Sequence, residues 1–237
     1  MRRPLLLVAV LFVAGCGKKG PECESLVKVI NPAVEKMNKA TGVKQEKNDA
    51  LIQQAKDIAG IASGTASGLA ALPLTVPELK KFSADYQAMA KEISAAASTT
   101  ADVLKRADEA AKASEKADKQ TDEAGEKLVK GCATAKDPGD LEICKKTGEV
   151  LKKLPDDLSQ ATGLGATANE LEREPFKDAE LAAAVKSVAS ALRATEKVLQ
   201  EYKAVQQKAK EAQASMDAAT KREEPLIDGV NKFCSGG

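Results

Sequence analysis

The chain has 237 residues, with 36 basic and 35 acidic side chains, no histidine and no tryptophan. Evenly mixed charge argues against a nucleic-acid footprint, and the missing histidines exclude Ser-His-Asp and Cys-His couples, histidine-ligated haem and an ordinary catalytic zinc. Aromatic residues make up only 3% of the chain and alanine is abundant, a composition that suits slender helices packed through small side chains.

The first element is an address. Met1-Arg2-Arg3 is a basic start, and Leu5 to Val13 is an apolar run too short to span a bilayer as a stable helix. Val13-Ala14-Gly15-Cys16 follows, with small residues where a peptidase must approach the backbone. This order of charge, apolar run, small residues and cysteine resembles the lipobox of bacterial lipoproteins. An ordinary secretory signal with a chance cysteine is the competing reading. The resemblance implies a signal peptide over 1–15, and a Cys16 that becomes the N-terminus and carries acyl chains such as palmitate. Loss of Arg2 and Arg3 with the leader takes the net charge from +1 to about −1. Residues 16–21 read as a lipidated tether ahead of one helical bundle domain over 22–237. No second apolar segment could span a membrane, so attachment would run through lipid at Cys16. Gly17 stands where Asp marks inner-membrane retention in such lipoproteins, which implies an outer-membrane anchor facing the periplasm.

Helix signals fill the rest. Leu26, Ile30, Ala33 and Met37 recur at steps of four and three, the pattern lapses through Lys44 to Lys47, and it resumes from Leu51 to Leu72. This predicts one long helix with a weak point at Pro32 or Gly42, ended by the turn Leu72 to Pro77. From Leu79 through Phe82, Tyr86, Met89 and Ile93 to Ala124 and Leu128 a heptad seam is sustained, with Gly131 as its stop. Such a helix would measure roughly 80 Å at about 1.5 Å per residue, a rod. Segments 141–154 and 157–172 read as shorter helices broken at Pro155, the second weakened by Gly163-Leu164-Gly165. A last rod carries Leu181, Val185, Val188, Leu192, Leu199, Tyr202, Ala209, Met216, Ile227 and Val230 on one register. Thr195, Gln206, Gln213, Thr220 and Glu223 fill its other places and predict a loose middle. Glu78-Leu79 precedes Cys132, and Glu180-Leu181 precedes Cys234, by the same 54-residue interval. That faint repeat supports two helical hairpins in tandem. The expected fold is therefore all-α, an elongated antiparallel bundle with coiled-coil-like packing.

With Cys16 assigned to lipid, Cys23, Cys132, Cys144 and Cys234 remain. An even number in an exported chain reads as two disulfides. In an up-down-up-down bundle all four would lie at one end, the end nearest the anchor. The favoured pairing is Cys132–Cys144 across a short loop and Cys23–Cys234 joining the chain ends. Pro32 and Pro225 lie nine residues from the latter two cysteines and would share one height in antiparallel neighbours. Cys23–Cys132 with Cys144–Cys234 is the alternative. No close C-x-x-C spacing suggests a metal.

Two features outside the seams could carry function. Ile58 to Pro77 contains no charged residue, and Gly60, Gly64 and Gly68 recur within it every four residues. On a helix this is a smooth face, readable as a docking surface at the far tip of the first hairpin or as packing against Tyr86, Met89 and Ile93. The packing reading is the favoured one. Lys105 to Lys130 alternates in sign and reads as a solvated face. The functional expectation is a non-enzymatic spacer or adaptor with an envelope protein as partner, without cofactor, metal or nucleic acid. The alternative is a bundle whose centre, around Thr195, Gln206 and Gln213, binds an apolar small molecule or lipid.

Overall fold

The computed structural model describes residues 19–42, 47–154, 158 and 161–235. Cys16 and the lipobox lie outside the described residues. Among the described residues there are six α-helices: α1 (Lys19–Gly42), α2 (Asn48–Ala70), α3 (Pro77–Thr134), α4 (Pro138–Leu151), α5 (Leu164–Leu171) and α6 (Ala179–Ser235). Among the described residues there is no strand, and no helix is long and apolar enough to cross a membrane. The protein is an all-α bundle.

Alternating apolar steps explain the long elements. Every seam position of α3 from Leu79 to Leu128 is buried or half-buried, because a three-four repeat keeps one stripe of a helix facing its neighbours. The register predicted for α6 holds at both ends and shifts in the middle. Tyr202 is exposed, Gln206 and Gln213 face solvent, and Val205, Ala212 and Ala219 take the interior places beside them. Small apolar residues one position away win those places because burying an amide without partners costs more than burying a methyl group.

The chain divides into two compact units. One runs to Arg106 and resumes at Gln206, and the other is Ala107–Val205. In the first unit, α1 and α2 are separate helices folded back on each other rather than one helix with a weak point. Gln54 Nε2 donates to the carbonyl of Ala40, near one end of the pair. Near the other, Gly68 lies so close to Val29 that an added Cβ would sit 3.0 Å from its methyl. Helix α3 returns along α2, with Ser94 Oγ donating to Ala59 O at 2.9 Å. The end of α6 closes the unit, where Ile227 and Val230 pack with Cys23, Leu26 and Ile30. Pro32 and Pro225 both lie inside continuous helices.

This hairpin moves the 72–77 turn. It returns beside the start of α1 instead of lying at a far tip. The Glu22 carboxylate accepts from the backbone N–H of Thr75 and Val76, each at 3.0 Å, and from the Thr75 hydroxyl. Those bonds, the hydroxyl foremost, hold Glu22 below the usual carboxylate range. Lys19, Gly20 and Pro21, expected in the tether, form the first turn of α1, where a proline removes an N–H that has no helical partner.

The second unit combines the end of α3, α4, α5 and the start of α6. Leu164, Ala168, Leu171 and Phe176 pack against Leu181, Val188 and Leu192. Helix α3 runs through Gly131 to Thr134 rather than stopping there. At Gly131 a Cβ would meet Leu181 Cδ2 at 2.7 Å, so the glycine admits the start of α6. Among the described residues of 157–172 only Leu164–Leu171 is α-helical, entered through Gly163 in the left-handed region at φ 73°.

Disulfides join Cys23 to Cys234, Cα–Cα 6.0 Å, and Cys132 to Cys144, Cα–Cα 5.7 Å. One bridge falls in each unit. Both units have the same parts: two shorter helices, the start of one long helix, the end of the other, and a bridge from that end to a shorter helix. The equal 54-residue intervals are the sequence counterpart of this likeness.

Candidate functional site

The first unit contains an apolar cavity of about 180 Å³ between α1, α2, α3 and α6. Met37 on α1, Ile58 on α2, Met89 and Ile93 on α3 and Met216 on α6 supply its largest aliphatic side chains. Three methionines in one wall make it adaptable, because an unbranched thioether side chain fills irregular space. Seam positions bring these residues together, since each points from its helix into the bundle interior.

One polar pair interrupts the wall. Tyr86, buried on α3, donates its hydroxyl to Glu223 Oε1 on α6 at 3.1 Å. Burial raises the Glu223 carboxyl above its ordinary range, and the Tyr86 hydrogen bond opposes that rise. Burial also pushes the Tyr86 phenol up, with the Glu223 charge and hydrogen bond adding to it. Arg222, the neighbour of Glu223 in sequence, is paired with Glu92 instead. Among the described residues no cation pairs with Glu223.

Three threonines complete the lining. Thr41 donates to Met37 O at 2.9 Å, Thr65 to Ile61 O at 2.8 Å and Thr220 to Met216 O at 3.0 Å. Each hydroxyl proton is thus spent on the preceding turn of its own helix. Thr220 and Glu223 are two of the five polar places noted on the last rod. Thr195, expected in a loose middle, is buried and donates to Ala191 O at 3.1 Å. Gln213 bonds Asp217 at 2.8 Å on the surface. Gln206 and Gln213 line neither space: one lies next to Thr195, at Ala194 and Val198, and a second lies around Glu223. Periodicity alone missed Tyr86 and Glu223 as partners because they are 137 residues apart. A tyrosine and a glutamate each occupying a seam position of a long helix was the available signal.

The glycine face of α2 does not pack against Tyr86, Met89 and Ile93. Gly60 and Gly64 are exposed, and a Cβ added at either would meet nothing within 4 Å. Gly68 alone is covered, by Val29 of α1. Ala55, Ala59, Ala62, Ala66 and Leu69 form the buried side. Close backbone approach between α2 and α3 therefore uses alanines, and the glycines fall one position outside it.

In the second unit, Ala113, Ala117, Ala194 and Val198 line an open groove between α3 and α6, rimmed by Lys116, Lys197 and Glu201. Gln120 is its one uncharged polar lining residue. Among the described residues no cluster of three or more Cys, Asp or Glu could hold a metal ion. In comparison with known proteins, no family model, curated protein or solved structure matches the chain.

Proposed function

We propose that the protein is a lipid-anchored, non-enzymatic component of the cell envelope, held to the outer membrane through Cys16, and that it works by binding an apolar small molecule. The cavity beside Tyr86 and Glu223 carries this reading. A partly open apolar pocket with a few polar groups is a common form of small-ligand site, and apolar cavities of about 150 Å³ accept a molecule the size of benzene. The lipobox at Val13 to Cys16 supports the anchor, and Gly17 supports the outer membrane. A Cys16→Ser full-length chain is expected in the soluble fraction. Added lipid extract from the producing cells should raise its melting temperature, because a ligand that binds only the folded state stabilises it by mass action. An unchanged melting temperature would count against the ligand, and retention on membranes would count against the anchor.

A spacer or adaptor role is the second reading, favoured by the uncharged, exposed surface at Gly60 and Gly64. The partner would be another envelope protein docking against α2. In-cell photocrosslinking from position 64, with exposed Lys116 as control, should then give one protein adduct from position 64 alone. Equal adducts from both positions, or none, would remove the adaptor.

A further inference from the structure

The polar atoms that line the cavity of the first unit share one property. Tyr86 donates to Glu223, and Thr41, Thr65 and Thr220 donate to carbonyls of their own helices. A hydroxyl has one proton to give and two lone pairs to offer, and a carboxylate only accepts. With these protons committed, what the polar lining offers to a guest is acceptors.

We infer that this cavity selects a hydrogen-bond-donating head on an apolar body, and that its ligand class is the small primary alkylamines. The inference rests on the ligand reading above and deepens it. An ammonium group has three donors and no acceptor, the complement of a Glu223 carboxylate in a cavity whose threonines offer lone pairs. It would also supply the cation that Glu223 lacks among the described residues, since Arg222 is engaged by Glu92. A ketone of the same length would place an acceptor beside a carboxylate that has no proton to give it. A site discriminates against a guest that leaves its polar groups unmatched. The elevated carboxyl of Glu223 agrees with this geometry: burial without a counter-charge disfavours its ionised form, and a bound cation would reverse that.

Methionine methyls report on the site directly. The chain has four methionines, and Met37, Met89 and Met216 all line the cavity, leaving only Met1 in the leader. The Cys16→Ser full chain, labelled at methionine methyls, would be titrated with n-hexylamine, 2-heptanone and benzene. Hexylamine should move all three methyl signals and bind about tenfold more tightly than 2-heptanone. Glu223→Gln, which brings an amide donor, should erase that preference while benzene binding persists. Should that variant not fold, Tyr86→Phe frees the carboxylate of its donor and should strengthen hexylamine binding. Equal or tighter binding of the ketone by the parent chain would overturn the donor inference and leave the cavity as an apolar site. No methyl shift with any of the three probes would instead remove the ligand reading itself.

Discussion

Replacing Cys23 and Cys234 together by alanine should cost about 5 kcal/mol of stability. The bridge spans 211 residues, and cross-linking removes more freedom from an unfolded chain the longer the loop it closes. The Cys132–Cys144 bridge spans 12 residues, and the same relation gives about 3 kcal/mol for its removal. Because the chain has two compact units, a single two-state midpoint is a poor readout. Amide hydrogen exchange resolved by unit is the appropriate measurement. The first pair should release the amides of α1 and the end of α6, and the second those of α4. Equal losses from the two pairs would show that loop closure does not govern the stapling. Without the long bridge, the end of α6 would rely on Ile227, Val230 and Phe233 packing against α1 and on Lys19, whose ammonium sits 4.6 Å from the Phe233 ring centre. A cation–π contact of this kind contributes about 1 kcal/mol, too little to replace the bridge.

Asp140→Ala should cost about 3–4 kcal/mol, because two backbone donors lose a charged partner at once. Asp140 is 3% exposed at the start of α4. Its Oδ1 accepts from Lys177 N at 2.8 Å and its Oδ2 from Asp178 N at 3.2 Å. It thereby ties the entry to α6 onto the entry to α4. Neighbouring aspartates share the work: Asp137 caps α4 through Gly139 N at 2.8 Å, and Asp178 caps α6 through Glu180 N at 2.8 Å. Asp137 is held below the usual carboxylate range, chiefly by Lys177. Asp140→Asn keeps one acceptor oxygen and should lose about half as much in denaturant unfolding of the second unit. A loss under about 1 kcal/mol for the alanine variant would mean that water replaces the carboxylate there.

Legibility in the sequence followed the range of the interaction. The seam of α3 was readable residue by residue, from Leu79 to Leu128, because a heptad is a local property of one helix. The middle of α6 misled for the opposite reason. Tyr202 lies on the same repeat as Val188 and Thr195, yet it is exposed while Val205 is buried, since the neighbours, not the repeat, set which side faces inward. The glycines of α2 followed the same logic. Gly60, Gly64 and Gly68 share a helix face, but only Gly68 has α1 over it. Periodicity places residues on one face without saying what covers that face.

By itself the sequence determined the helical class, the long seam of α3, the 54-residue correspondence between the long helices and the absence of histidine chemistry. These depend on spacing and composition, which short-range sterics convert directly into helix faces. Tertiary structure alone decided that α1 and α2 fold back on each other, that one bridge lies in each unit, and that Tyr86 meets Glu223 inside an apolar cavity. Those outcomes depend on which distant surfaces bury each other, a competition among packing partners that no single helix records.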